Sequence, residues 1–223
     1  MNVVMAMRYE LVIFDLDGTL LDTLDDLTQA VNHALELQDF PLRTRDEVRH
    51  LIGNGIASTM RRAIPEGSGD DVFRQALSDF KGYYLSHVNV HTRPYTGVPG
   101  LLDAMGSAGI RAAVNSNKVD SATQALCGDH LAGKLACVLG EQPDIPKKPA
   151  PDGALRIIRQ LGADPRRTLY VGDGETDILT AKNAGIDCAW VAWGYRRAPE
   201  LGDLAVPHAF ATVQALQAFI LGN

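Results

Sequence analysis

Apolar residues along this chain keep two different rhythms. Short unbroken runs such as Leu11-Val12-Ile13-Phe14, Ala112-Ala113-Val114 and Leu169-Tyr170-Val171 read as strands buried on both faces of a parallel sheet. With their flanks they predict strands at Leu11–Phe14, Arg111–Asn115, Ala136–Leu139, Thr168–Val171, Ala189–Ala192 and a short one at His208–Phe210. Between them, helical spacing predicts helices over Gly100–Ala108, Val119–Gly128, Pro151–Leu161, Glu175–Ala184 and Val213–Leu221. Strands alternating with helices require crossover connections, hence a parallel sheet. The fold class is α/β: a doubly wound, mostly parallel, Rossmann-like core.

The stretch from 22 to 92 breaks this alternation. Leu24, Leu27, Val31, Ala34 and Leu35 recur at helical spacing, and Thr44 with Glu47 forms a capping-box pattern that opens a helix to about Ile52. Gly53-Asn54-Gly55 interrupts, Ile56–Ile64 suits a third helix, and Asp70–His87 is a long amphipathic one with Val72, Phe73, Ala76, Leu77, Phe80 and Tyr84 inward. Residues 22–92 therefore read as an all-helical insertion. It joins a discontinuous core of 1–21 and 93–223 through linkers near Asp22 and Arg93-Pro94.

Composition narrows the partners. The 223 residues are 46% hydrophobic, enough for a real core, and carry a net charge of −6. There is no basic stripe, so no nucleic-acid partner is expected. An anionic substrate must then be held by local donors or a metal rather than by the overall field. The odd set Cys127, Cys137 and Cys188 reads as reduced thiols. The N-terminal stretch is too short for a signal peptide and no run reaches membrane-spanning length, so a cytoplasmic protein without a membrane partner is expected. Met1, Met5 and Met7 are alternative starts. A monomer and a homodimer are both compatible with the sequence.

The chemistry sits where strands end. Leu11–Phe14 stops at Asp15-Leu16-Asp17-Gly18-Thr19. Ligands of doubly wound sheets bind just past the carboxyl ends of strands. Two carboxylates there repel unless a cation sits between them, and oxygen ligands suit Mg²⁺. Gly18 lets the chain turn, and Thr19 offers a hydroxyl and an N–H to an anion. One acid can attack while the other moves protons. Asn115-Ser116-Asn117-Lys118 reads as a phosphate cradle at a strand-to-helix turn, although alone it reads more readily as a helix cap. Lys147-Lys148-Pro149-Ala150-Pro151 holds a lysine before a rigid segment, although alone it also reads as a solvated pair. Gly172-Asp173-Gly174-Glu175-Thr176-Asp177 repeats the pattern of a strand followed by acids; the helix dipole accounts for Asp177 but less well for Asp173.

In this order the stretches resemble the motifs of the haloacid dehalogenase-like superfamily, over nearly the whole chain and with the helical cap inserted after the first. The resemblance implies a Mg²⁺-dependent phosphatase. Asp15 is then the nucleophile that forms an aspartyl phosphate, and Asp17 the acid and base. Ser116 binds the phosphoryl group and Lys148 neutralises charge. Asp15, the Asp17 carbonyl and Asp173 hold the metal, with Asp177 behind them. Gly18, Thr19 and Asn117 fall among the substrate contacts. Many relatives carry Ser where this chain has Gly174.

Within the superfamily, Asp17 argues against the dehalogenase branch. Lys81 is the only lysine of the cap and stands late in its last helix, which argues against a Schiff-base hydrolase. Leu51–Ile56 is too small and apolar to grip a sugar. The segments Arg49-His50-Leu51-Ile52-Gly53-Asn54-Gly55 and Arg93–Val98 look most like phosphoglycolate phosphatases. That resemblance makes 2-phosphoglycolate the expected substrate, a small phosphorylated metabolite, with Gly53, Asn54 and Arg49 as expected contacts to its carboxylate. The alternatives are a broad sugar-phosphate or nucleotide phosphatase, a pyrophosphatase, a phosphomutase, or outside the enzymes a phospho-accepting receiver-like domain. The last needs neither Asp17 nor a cap.

Overall fold

Leu11 and Ile13 pack into one face of the central sheet and Val12 and Phe14 into the other, as alternation along a strand requires. The computed structural model describes residues 8–222, so Met1, Met5 and Met7 lie outside the described residues. Strand β1 (Leu11–Phe14) is followed by β2 (Leu21–Asp22) and four helices, α1 (Leu24–Glu36), α2 (Arg45–Leu51), α3 (Ile56–Ala63) and α4 (Asp70–His87). Then come β3 (Arg93–Pro94), α5 (Val98–Ser107), β4 (Arg111–Val119), α6 (Asp120–Leu131), β5 (Cys137–Glu141) and α7 (Asp152–Leu161). The chain closes with β6 (Thr168–Gly172), α8 (Glu175–Ala184), β7 (Asp187–Val191), β8 (His208–Phe210) and α9 (Val213–Leu221).

The main sheet has six strands in the order β5-β4-β1-β6-β7-β8, and every pairing is parallel. The chain winds outward from β1 through β4 and β5, then returns to β6 on the other side of β1. This reversal opens a crevice beyond the carboxyl ends of β1 and β6. Helices α5, α6 and α9 cover the face of Val12 and Phe14, and α7 and α8 cover the other. No described helix is long and apolar enough to cross a membrane.

Helices α1 to α4 bury a separate cluster that includes Leu27, Val31, Leu35, Met60, Phe80 and Tyr84. The expected capping box is present: Glu47 N–H donates to Thr44 Oγ1 at 3.2 Å and Thr44 N–H to Glu47 Oε2 at 2.7 Å. The linkers, read from the sequence as plain connections, pair antiparallel as β2 and β3, with Leu21 opposite Pro94 and Asp22 opposite Arg93. Buried Asp26 in α1 fixes the return path. Its carboxylate accepts the N–H groups of Val90, His91 and Thr92 at 3.1, 2.8 and 2.9 Å. Strand ends in the main sheet differ from expectation: β5 covers Cys137–Glu141 and β7 Asp187–Val191, and the largest change is in β4. Strand β4 runs on to Val119, with a shift of register between Asn115 and Val119. Ser116–Lys118 thus lie within the strand instead of in a turn after it. Their polarity masks the continuation, because it serves the crevice and not the core.

Candidate active site

Asp15 leaves β1 with its N–H still bonded to Val171 O at 2.9 Å, which plants its side chain at the crevice. The chain then turns through Gly18, at φ +83°. A Cβ there would stand 2.6 Å from Asp173 Oδ2, so the close approach of the two loops requires glycine. The N–H groups of Gly18 and Thr19 close this turn onto the carbonyls of Leu21 and Leu16, at 2.9 and 3.3 Å. The Thr19 hydroxyl donates to Asp173 Oδ1 at 3.3 Å. Gly18 and Thr19, expected to bind the anion, here shape the loop, and Thr19 orients Asp173.

Lys148 reaches into the crevice from the loop before α7. Its ammonium lies 2.8 Å from Asp15 Oδ1 and 2.8 Å from Asp177 Oδ1. The Asn117 side chain clamps its backbone, accepting Lys148 N–H at 2.9 Å and donating to Lys148 O at 3.0 Å. Asn117, expected to touch substrate, thus has its amide committed to placing Lys148. Gly172, at the end of β6, leaves room for Asp177, whose Cγ would be 2.2 Å from a Cβ there. Asp173 accepts Tyr195 N–H at 2.6 Å, and its carbonyl accepts Trp190 Nε1 at 2.7 Å.

Asp17 is held apart from this group. Its Oδ1 accepts Thr23 Oγ1 at 2.6 Å and pairs with the Lys118 ammonium at 3.0 Å. Lys118 also bonds the hydroxyl of Tyr84 from α4. The Tyr195 hydroxyl meets the Thr23 hydroxyl at 2.9 Å, completing a chain from the loop after β7 to Asp17. Ser116 lies buried on the same wall, its Oγ accepting Lys118 N–H at 3.2 Å.

These groups floor a cavity of about 510 Å³ including its open mouth. Asp15, Asp17, Ser116, Asn117, Lys118 and Lys148 line its base, and Leu27, Ile52, Gly53, Gly55, Ile56, Thr59 and Phe80 its roof and sides. Gly53 is where expected, but Asn54 and Arg49 are not among the lining residues. Asn54 Oδ1 accepts the Thr176 hydroxyl at 3.2 Å. The Arg49 guanidinium is taken by Glu200, at 3.1 Å, by Asp46, at 2.9 Å, and by the Tyr195 carbonyl. Arg196 answers it from the other side, donating to the carbonyls of Arg49 and Ile52 at 2.9 and 2.5 Å. The two arginines stitch the α2–α3 loop to the loop after β7. Arg49, expected to contact substrate, here ties the helical block to the sheet.

Sequence reasoning also passed over Thr23, Tyr195 and Arg196, and named Lys118 only as the last residue of the Asn115–Lys118 stretch, with no role of its own. Gly194-Tyr195-Arg196-Arg197 follows the strand at 187–191, so it is one more polar stretch at a strand end.

Burial sets the electrostatics. It pushes Asp15 up to about 7, against the pull of Lys148 and with Asp177 adding to the rise. Burial, then Asp177 and Asp15, push Asp173 up to about 8. Burial works against the Lys148 charge, but the carboxylates of Asp15 and Asp177 outweigh it and hold the ammonium well above its usual range. For Lys118 the Asp17 carboxylate and Tyr84 likewise overcome burial. Carboxylate oxygens of Asp15, Asp173 and Asp177 lie within 4.8 Å of one another. Such an oxygen-only, proton-hungry cluster fits a hard divalent cation.

Known proteins carry the same plan. The chain is 32% identical to a phosphoglycolate phosphatase of Aquifex aeolicus over 82% of its own length and 85% of the relative's. It is 35% identical to one of Rhodospirillum rubrum over 91% and 88%. A crystal structure from Lactobacillus delbrueckii subsp. bulgaricus, provisionally assigned as a phosphoglycolate phosphatase, superposes with a TM-score of 0.93. That match covers 97% of this chain and 100% of the other at 33% identity. The family model matches residues 12–191, from the first buried strand to the end of β7, and the chain is a member of the haloacid dehalogenase-like hydrolases.

Proposed function

We propose that this phosphatase hydrolyses 2-phosphoglycolate with Mg²⁺ through an aspartyl-phosphate intermediate. One observation carries the chemistry: two acids two residues apart are each paired with their own buried ammonium, Asp15 with Lys148 and Asp17 with Lys118. The pairing gives neighbouring carboxylates separate environments and hence separate work. An Asp15 oxygen attacks phosphorus. The bond from phosphorus to the ester oxygen breaks, and that oxygen leaves with the electron pair and takes a proton from Asp17. Asp17, now a carboxylate, takes a proton from water. The water oxygen attacks phosphorus and releases inorganic phosphate and the Asp15 carboxylate. Ser116 binds the phosphoryl oxygens, and Lys148 offsets charge on Asp15 and the phosphoryl group. Asp15, Asp173 and the Asp17 carbonyl would hold Mg²⁺ with Asp177 beside them, and the ion supplies fixed positive charge against the phosphate.

In this reading residues 22–92 are a cap over a core formed by 1–21 and 93–223. The Ile52–Ile56 loop and Phe80 enclose the leaving group and exclude water. The curated relatives named as phosphoglycolate phosphatases support the substrate.

Steady turnover of p-nitrophenyl phosphate by the wild type, and its loss in a folded Asp15→Asn variant, test the chemistry; one stoichiometric burst without turnover would leave a phospho-accepting domain. Measuring kcat/KM on 2-phosphoglycolate, hexose phosphates, nucleoside monophosphates and pyrophosphate tests the substrate. Any of these exceeding 2-phosphoglycolate by more than about tenfold overturns that assignment and leaves the phosphatase standing.

A further inference from the structure

Lys118 is a buried ammonium on the wall of the cavity, with its side chain 2% exposed. It belongs to the leaving-group side, because its ion-pair partner is Asp17, the acid that meets the ester oxygen. Lys148 is committed elsewhere, to Asp15 and Asp177. An ammonium has three donors. Asp17 and the Tyr84 hydroxyl are the described side-chain partners of Lys118, which leaves one donor for an acceptor inside the cavity. The rest of this cavity's lining offers an anionic leaving group little else, and Arg196 and Lys147, which stand beside Gly53 and Gly55, are paired with Glu175 and Glu141. Leu27, Ile52, Ile56 and Phe80 are apolar, Gly53 and Gly55 have no side chains, and Arg49 is turned to Glu200. Lys148 and Lys118 are the two cations among the described lining residues.

Resting on the phosphoglycolate reading, we propose that Lys118 is the specificity-determining residue that binds the carboxylate of the substrate's leaving group. Because it spans Asp17 of the core and Tyr84 of α4, the carboxylate is gripped where the helical block meets the sheet. A cationic group in the same place is rejected by like charge, and a neutral hydroxyl gains only an ordinary hydrogen bond. Lys118 also orients Asp17, so its removal carries a loss common to every substrate. The ratio between substrates isolates recognition from that common loss.

The test measures kcat/KM at saturating Mg²⁺ for wild type, Lys118→Met and Lys118→Arg on three esters of equal reach: 2-phosphoglycolate, 2-hydroxyethyl phosphate and 2-aminoethyl phosphate. Wild type is expected to prefer 2-phosphoglycolate over the hydroxyl ester by about tenfold or more, as a hydrogen bond between charged partners implies. Lys118→Met is expected to erase that preference and to narrow the gap to the amine ester. Lys118→Arg, which keeps the charge, is expected to retain the order anion over amine. Equal losses on all three esters in Lys118→Met would reduce Lys118 to a positioning residue and overturn the proposal. If Lys118→Met does not fold by circular dichroism, loss of the anion-over-amine order in a folded Lys118→Arg overturns it instead. A wild type with no preference for 2-phosphoglycolate overturns the substrate reading, whereas a preference that survives in Lys118→Met overturns the role of Lys118 alone.

Discussion

The ammonium of Lys148 stands 2.8 Å from Asp15 Oδ1, and the same nitrogen stands 2.8 Å from Asp177 Oδ1. It serves as an internal cation among three buried acids. Replacing it with methionine removes the group that offsets charge on Asp15, the proposed nucleophile, so kcat is expected to fall by about 10²–10³-fold, as for loss of one preorganised electrostatic partner. The affinity for Mg²⁺ is expected to hold or rise, since the cluster has lost a competing cation. Calorimetric titration beside turnover assays checks both, and a collapse of metal affinity in a folded variant would contradict the charge balance described.

Stability should depend on pH in an unusual direction when the protein is free of metal. Burial raises Asp15 to about 7 and Asp173 to about 8, both above the unfolded value of 3.8. The folded state therefore binds protons more tightly than the unfolded one. This contribution is fully present below about pH 4 and is lost as pH rises through 7 to 8. Across pH 5 to 8 these two groups should pull the Tm of the metal-free protein down. Mg²⁺ should raise Tm more at pH 8 than at pH 6, because at the lower pH it must displace protons. Thermal melts with and without chelator follow this directly; a Mg²⁺ shift that shrinks toward pH 8 would show the wrong sign.

Asp26 holds three consecutive backbone N–H groups at Val90–Thr92 and also accepts the Thr92 hydroxyl at 2.7 Å. Asp26→Ala leaves these donors without their acceptor in a partly buried place. The expected cost is about 3 kcal/mol, a fall in Tm of roughly 6–12 °C for a chain of this size. Chemical denaturation measures it, and a loss under about 1 kcal/mol would show that water replaces the carboxylate.

Gly174, where the family resemblance leads one to expect serine, has no conformational need to be glycine. Its φ is −130°, and a Cβ there would meet Arg196 Cγ at 3.7 Å and Asp177 Oδ2 at 3.8 Å, ordinary contacts. Gly174→Ser is expected to leave kcat/KM within about threefold, less than 0.7 kcal/mol of transition-state binding. A drop of more than about tenfold would reveal that the added hydroxyl competes for Asp177.

Central strands such as β1 and β6 were legible in the sequence because they are buried on both faces and therefore almost wholly apolar. Asp15, Asp17, Asp173 and Asp177 were legible because acids following an apolar run stand at a strand end, Ser116 because polar residues follow Ala112-Ala113-Val114, and Lys148 because the prolines after it mark a rigid segment. What escaped depends on side chains meeting across long separations. Lys118 pairs with Asp17 and with Tyr84, residues from three parts of the chain, and no local spacing encodes that meeting. Arg49 was read as a substrate contact because it stands just before the Gly53-Asn54-Gly55 loop, yet its partner Glu200 arrives from beyond β7. Asn117 and Thr19 were read as facing a ligand, while the fold spends their side chains on Lys148 and Asp173.

The antiparallel match of Leu21 with Pro94 and Asp22 with Arg93 brings the two ends of the helical block side by side. From the sheet's standpoint the whole block departs and returns through one doorway, as a tight hairpin would. Its length can therefore change with little entropic charge to the core, because loop closure grows only slowly with the residues enclosed and is here already fixed by the paired ends. Asp15, Asp17 and Asp173 stand just past strand ends outside that doorway, whereas Phe80, Ile52 and Ile56 stand within it. Selection on what the cavity admits can thus rewrite one module while the other, which breaks the phosphate ester, stays as it is.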